Sequence, residues 1–187
     1  MDEPSATTST EPLSVEEIER HVREVPDFPS PGISFKDITP LIEDGPAFHA
    51  AVDRVATATA GIDYDRVLSA EARGFVFGTA LAYRARKGLI LARKPGKLPR
   101  ETISASYDLE YGSNTLHVHA DSIREGTRVL VVDDLLATGG TARAMCQLVE
   151  NAGGVVAGVA FLVELTFLNG RERLAPYPVT SLLTYDS

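Results

Sequence analysis

Asp133 and Asp134 stand side by side after the run Val129-Leu130-Val131-Val132, and Ala137-Thr138-Gly139-Gly140-Thr141 follows almost at once. Adjacent carboxylates suit the vicinal hydroxyls of a ribose, from which they accept hydrogen bonds. A small-residue turn opening a helix offers converging backbone N–H groups to a phosphate. In series the two features read as a pocket for a phosphorylated sugar. Either half alone has an ordinary explanation, because acids often end a buried strand and Thr-Gly-Gly-Thr makes a common tight turn. The loop is not a Walker loop, since no Gly-Lys-Ser/Thr follows the glycines, and it holds no G-x-G-x-x-G.

Cations for an anionic ligand come from two other places. Arg73 lies in Glu71-Ala72-Arg73-Gly74, and four of the eight residues from Arg93 to Arg100 are positive, with Pro95 and Pro99 between them. An arginine fork grips phosphate through two bonds where a lysine supplies a point charge. The alternative for Arg73 is a structural pair with Glu71 or another acid. Cys146 is the lone cysteine, so neither an intramolecular disulfide nor a Cys-based zinc site can form, and a packed thiol in a helix is expected.

The elements that must hold these residues alternate along the chain. Residues 1–13 are polar, contain Pro4 and Pro12, and read as a disordered arm. Ser14 with Glu17 forms a capping box for a helix whose stripe is Ile18, Val22 and Val25 and which Pro26 ends. His21 on that helix is assigned to the surface. Segment 26–40, with Gly32 and prolines at 26, 29, 31 and 40, reads as an irregular loop. Phe28, Ile33, Phe35 and Ile38 make it apolar enough to pack or to line a pocket. A helix from Pro46 to Gly61 is expected next. Strands follow at 66–70, 89–92, 129–132 and 155–163, with helices over about 75–87 and 141–152. Residues 103–109 and 115–119 alternate like hairpin arms. Helices between apolar strands predict an α/β fold, a doubly wound and mainly parallel sheet with helices on both faces. Residues 14–187 are read as one domain. The three charged or Gly-rich loops then gather at the C-terminal ends of the strands, where such sheets bind ligands.

Bulk properties narrow the class further. The chain of 187 residues is 44% hydrophobic and 24% charged, as in an ordinary globular protein. Its formal charge of −8 argues against a nucleic-acid surface, and no apolar stretch or N-terminal leader points to a membrane or to export. A cytoplasmic location is the expectation.

The run from Val129 to Thr141 resembles the signature of type I phosphoribosyltransferases, which use 5-phosphoribosyl-1-pyrophosphate (PRPP). The resemblance extends to Glu71–Gly78, Arg93–Pro99, Tyr107–Gly112 and Phe28–Asp37, and covers nearly the whole chain after residue 20. In that order these motifs are similar to the adenine phosphoribosyltransferase branch. The resemblance implies a type I phosphoribosyltransferase fold with a flexible hairpin flap over about 94–120. It implies transfer of 5-phosphoribosyl from PRPP to adenine, giving AMP and pyrophosphate in purine salvage.

The resemblance also implies roles, position by position. Phe35 would stack on adenine, the backbone of Ser34 and Lys36 would read its edge, and Leu165 would close the other side. Arg73, with Lys97 and Arg93, would bind pyrophosphate. Asp133 and Asp134 would hold the ribose, and Ala137, Thr138, Gly139, Gly140 and Thr141 the 5′-phosphate. Strand alternation lets both aspartates reach one sugar only if the strand has ended by then. Glu110, with Arg73, would be catalytic, handling a proton on the imidazole edge of the base, and Tyr111 would help close the flap. On sequence alone Glu110 reads as a solvated hairpin-tip acid, and the alternative for Phe35 is plain core. Mg²⁺ is the expected cofactor, bound mainly through substrate oxygens, with no protein ligand assigned. A homodimer is the family's implication. The rival readings are a PRPP-sensing module without chemistry and an enzyme for another purine; the absence of a lysine from Val159 to Leu165 argues against a 6-oxopurine.

Overall fold

The structure is a computed structural model describing residues 12–108 and 113–187. Residues 1–11, most of the expected arm, lie outside it, as do Leu109, Glu110, Tyr111 and Gly112. The chain forms two compact units, one up to Ala50 and one from Ala51 to Ser187.

In the first unit, Ser14 and Glu17 close the capping box: Ser14 N–H donates to Glu17 Oε2 at 2.7 Å and Glu17 N–H to Ser14 Oγ at 3.2 Å. Helix α1 (Val15–Glu19) is nevertheless only five residues long and does not reach Pro26. Residues Arg23–Val25 form strand β1 instead, paired antiparallel with β2 (Phe35–Asp37) so that Val25 faces Phe35. Val22 and Val25, spaced like a helical stripe, are β-branched, and pairing with a second strand outweighs the periodicity. Segment 26–40 is therefore not wholly irregular. It ends in β2 and in the start of α2 (Thr39–Glu43), with Pro40 in the first turn, where its missing N–H costs nothing. Asp44 Oδ1 accepts the Ala47 N–H at 2.8 Å and starts α3 (Gly45–Ala58), which stops three residues before Gly61.

The second unit is built on β3 (Arg66–Ala70), α4 (Gly74–Ala85), β4 (Gly88–Ala92), β5 (Thr102–Asp108), β6 (Ser113–His119), β7 (Arg128–Leu136), α5 (Gly140–Asn151), β8 (Val155–Leu165) and β9 (Val179–Tyr185). Five strands form one sheet in the order β4-β3-β7-β8-β9, with every neighbouring pair parallel. Val129 and Val131 of β7 share a core with Met145, Leu148 and Val149 of α5. Val132, on the opposite face by the period of two, meets Phe77 and Leu81 of α4. Helices thus cover both faces. Counted within the sheet, the order is 2-1-3-4-5, so the winding reverses between β3 and β7. That switch point is where a doubly wound sheet opens a crevice beyond its strand ends.

The antiparallel hairpin β5–β6 is not a free arm. Ala105, Leu116 and Val118 are buried in the same core as α5. Its sides are packed against α5, and the residues between Asp108 and Ser113 lie outside the described ones.

Candidate active site

A cavity of about 420 Å³ occupies the switch point. Glu71, Ala72 and Arg73 line it from the end of β3, Asp133 to Thr141 from the end of β7, Lys94 from the basic turn, and Tyr107 and Asn114 from the hairpin. The sequence thus brought together Arg73, both aspartates and the whole 137–141 loop. Arg93, Lys97 and Leu165 are absent from this wall, whereas Lys94, Tyr107 and Asn114 were not singled out. Lys94 differs from its neighbours in charge pattern only by register within the turn, which composition does not reveal.

The loop itself has the expected geometry. Gly139 caps α5 with φ of +82°, a conformation that glycine adopts without strain. A Cβ on Gly139 would lie 2.5 Å from the Gly170 carbonyl oxygen, and one on Gly170 would lie 2.1 Å from that of Ala137. Two backbones therefore pass with no room for a side chain on either. Gly140, Thr141 and Ala142, the first turn of α5, line the cavity at the positive end of a twelve-residue helix.

β7 does not end before the acidic pair; it continues through Leu136. Asp133 and Asp134 consequently point different ways, although both line the cavity. Asp133 turns toward α4: a Cβ on Gly74 would sit 2.2 Å from Asp133 Oδ1, so only glycine fits there. Asp133 Oδ1 also accepts the Asp134 N–H at 3.0 Å. Asp134 turns to Arg73, whose Nε lies 2.8 Å from Asp134 Oδ2. That oxygen is buried and lacks an aligned hydrogen bond, so the contact is an ion pair rather than a fork. Burial first, and then the neighbouring Asp134 charge, push the Asp133 carboxyl well above the usual carboxylate range. The acid that Arg73 engages here is thus Asp134 and not Glu71.

Glu71 has a different task. It accepts the Lys94 N–H at 2.5 Å and the Arg93 guanidinium at 3.3 and 3.5 Å, tying the basic turn to the end of β3. Burial works to raise its carboxyl, but these donors hold it below the usual range. Arg93 is spent on this anchor and Lys97 is exposed on the turn.

Ser69, one residue before the end of β3, joins the two walls. Its fully buried hydroxyl lies 2.8 Å from the Gly74 carbonyl and 2.5 Å from that of Val132, the residues next to Arg73 and Asp133. A buried serine in a strand carries no sequence signal of such a role.

Of the residues expected at the base, Ser34, Phe35 and Lys36 lie in the first unit and Leu165 ends β8 in the second. The Phe35 ring meets Phe28 edge to face, with centroids 5.1 Å apart and planes at 74°. Phe28 is half exposed and was noticed only as part of an apolar loop. Ser34 Oγ donates to Glu24 at 2.5 Å, and the buried Lys36 pairs with the same carboxylate at 3.5 Å. Glu110 and Tyr111 fall outside the described residues. No cluster of three or more acidic, histidine or cysteine residues suited to a metal occurs among the described residues.

Comparisons with known proteins agree with this geometry. Residues 41–182 match the phosphoribosyl transferase domain. The chain is 70% identical over 173 residues to an adenine phosphoribosyltransferase of Rubrobacter xylanophilus, covering 92% of this chain and 94% of the relative. The crystal structure of adenine phosphoribosyltransferase from Thermoanaerobacter pseudethanolicus superposes with a TM-score of 0.90 at 51% identity, covering 92% of this chain and all of that one. That of the Saccharomyces cerevisiae enzyme, complexed with an imino-altritol bisphosphate and adenine, gives 0.85 at 36% identity over 90% of this chain and 98% of that one. With a sheet that reverses at β3 and β7 and a sugar-phosphate crevice at that reversal, the chain belongs to the type I phosphoribosyltransferases, in the adenine phosphoribosyltransferase family.

Proposed function

We propose that this chain transfers the 5-phosphoribosyl group of PRPP to adenine, forming AMP and releasing pyrophosphate. The observation that carries the reading is the cavity in which Arg73, the aspartate pair and the 137–141 loop meet. Displacement at the anomeric carbon develops positive charge on the ribose ring and negative charge on the departing pyrophosphate. Fixed groups of opposite sign at those places lower the barrier. Arg73 and Lys94 supply cations for the leaving group, assisted by Lys97 from the same turn, while Arg93 contributes by anchoring that turn to Glu71. Asp133 and Asp134 supply hydrogen-bond acceptors for the ribose hydroxyls, and Ala137, Thr138, Gly139, Gly140 and Thr141 cradle the 5′-phosphate. For Arg73 to reach the pyrophosphate it exchanges Asp134 for the ligand, which also frees Asp134 for the sugar.

Ser34, Phe35, Lys36 and Leu165 are the residues assigned to adenine by family likeness, with Phe35 stacking on the ring. Glu110 takes or steers the imidazole proton, and Tyr111 helps close the hairpin tip. Residues 14–187 act as one transferase domain, with the tip of the 94–120 segment as its lid. Two adjacent carboxylates are too few to cage Mg²⁺, but they fit an ion whose remaining ligands are substrate oxygens and water. When bound, Mg²⁺ would neutralise charge on the pyrophosphate. No helix among the described residues is long and apolar enough to cross a membrane. We place the protein in the cytoplasm as a homodimer, the second of these by family likeness.

The test is an assay of the purified chain with Mg²⁺ and PRPP against adenine, hypoxanthine, guanine and xanthine. AMP formation from adenine, with the oxopurines slower by orders of magnitude, is the expected result. A site built around a 6-amino group leaves its acceptors unpaired on an oxopurine. Turnover of an oxopurine but not adenine overturns the base assignment, and PRPP binding without turnover of any base favours a sensing module. Glu110→Gln is expected to lower kcat far more than it raises either KM. An unchanged kcat removes the proton role.

A further inference from the structure

The segment between β8 and β9 consists mainly of two short 3₁₀ helices, Thr166–Leu168 and Gly170–Leu174, and it forms the back of the 137–141 loop. Gly170 presses its backbone against Ala137 and Gly139 so closely that neither glycine tolerates a Cβ. The next residue, Arg171, makes a fork to a buried carboxylate: Nε to Glu164 Oε1 at 2.9 Å and Nη2 to Glu164 Oε2 at 2.5 Å. Its remaining Nη1 donates to the Val179 carbonyl at 3.0 Å. Glu164 is 4% exposed and takes a further bond from Ser181 Oγ at 2.6 Å. On the far side, Leu174 is wholly buried in the core that also holds α5. The segment is thus fastened on both sides of its contact with the loop.

We propose that Glu164 and Arg171 are positioning residues that hold Gly170 against the 137–141 loop and so fix its N–H groups on the 5′-phosphate. This rests on the assignment of that loop to the sugar phosphate. A planar guanidinium locked at both nitrogens has one orientation, which an ammonium on the same stem does not. The fork fastens the first turn of a five-residue 3₁₀ helix, too short to hold its own place, into a rigid backing. Preorganisation of this kind acts on the ligand that the loop touches and leaves the base subsite alone.

The experiment compares wild type with Arg171→Lys, Glu164→Gln and Gly170→Ala, in steady-state kinetics and in titrations with ribose 5-phosphate and with adenine. Arg171 is half exposed, so Arg171→Lys keeps the fold even if the buried changes do not. The expected result is a rise of about tenfold in KM for PRPP and a matching loss of ribose 5-phosphate affinity, with adenine affinity within about twofold of wild type. Gly170→Ala should reproduce the pattern with the ion pair intact. A lower melting temperature with both KM values unchanged, or equal rises in both, overturns the proposal. A wild type that makes no AMP overturns the functional reading instead, and the ribose 5-phosphate titration still decides the role of the fork.

Discussion

A carboxyl buried beside another carboxyl, as Asp133 is beside Asp134, is costly to ionise, and its raised titration has a consequence for stability. A group whose folded value lies above its unfolded one favours the fold while protonated, and that contribution disappears as pH rises through the folded value. The ligand-free protein therefore carries destabilisation from Asp133 above that point. Asp133→Asn is expected to raise the melting temperature near pH 8, to flatten its dependence on pH, and to impair turnover. A lower melting temperature at pH 8 would remove this account. Such opposition between stability and activity is normal at a built site. Arg73→Ala is expected to weaken PRPP use while adenine binding is retained, which steady-state KM values for the two substrates will show. Cys146 has no part in this chemistry: burial pushes its thiol up to about 12, and it is fully enclosed in α5.

At the level of elements, the close seat of α4 on the sheet depends on two glycines. A Cβ on Gly78 would lie 2.4 Å from Ser69 Oγ and 2.6 Å from Ser69 Cβ. Gly78→Ala is expected to cost about 1–3 kcal/mol of stability as overpacking, read from the denaturant midpoint. It should also disturb activity, since the start of α4 carries Arg73's neighbour Gly74. Apolar runs and caps made much of this legible in advance: β3 and β4 were found nearly to the residue, and α5 within one. The reading failed where partners distant in sequence decide the outcome. Val25 fits a helix until β2 is there to pair with it. β9 and the Gly170 turn gave no periodic signal, and their place is set by β8 and the phosphate loop. The acidic pair was legible as a site but not in its geometry, because the continuation of β7 to Leu136 depends on its ladder with β8.

Across the whole molecule the net charge of −8 opposes the approach of a polyanionic substrate, so attraction must be local to the cavity. Arg73 and Lys94 line that cavity, which lies wholly within the unit from Ala51 to Ser187. PRPP with Mg²⁺ is accordingly expected to slow amide exchange at residues 71–74 and 137–141, measured by hydrogen–deuterium exchange. Protection confined to other segments would displace the proposed site. One feature reaches further than the cavity itself. Helix α5 starts at the loop proposed to take the phosphate and shares a buried core with Ala105 and Leu116 of the hairpin. Occupancy of the one and posture of the other are then thermodynamically reciprocal: whatever free energy the ligand lends to the hairpin, an ordered hairpin returns to the ligand in equal measure.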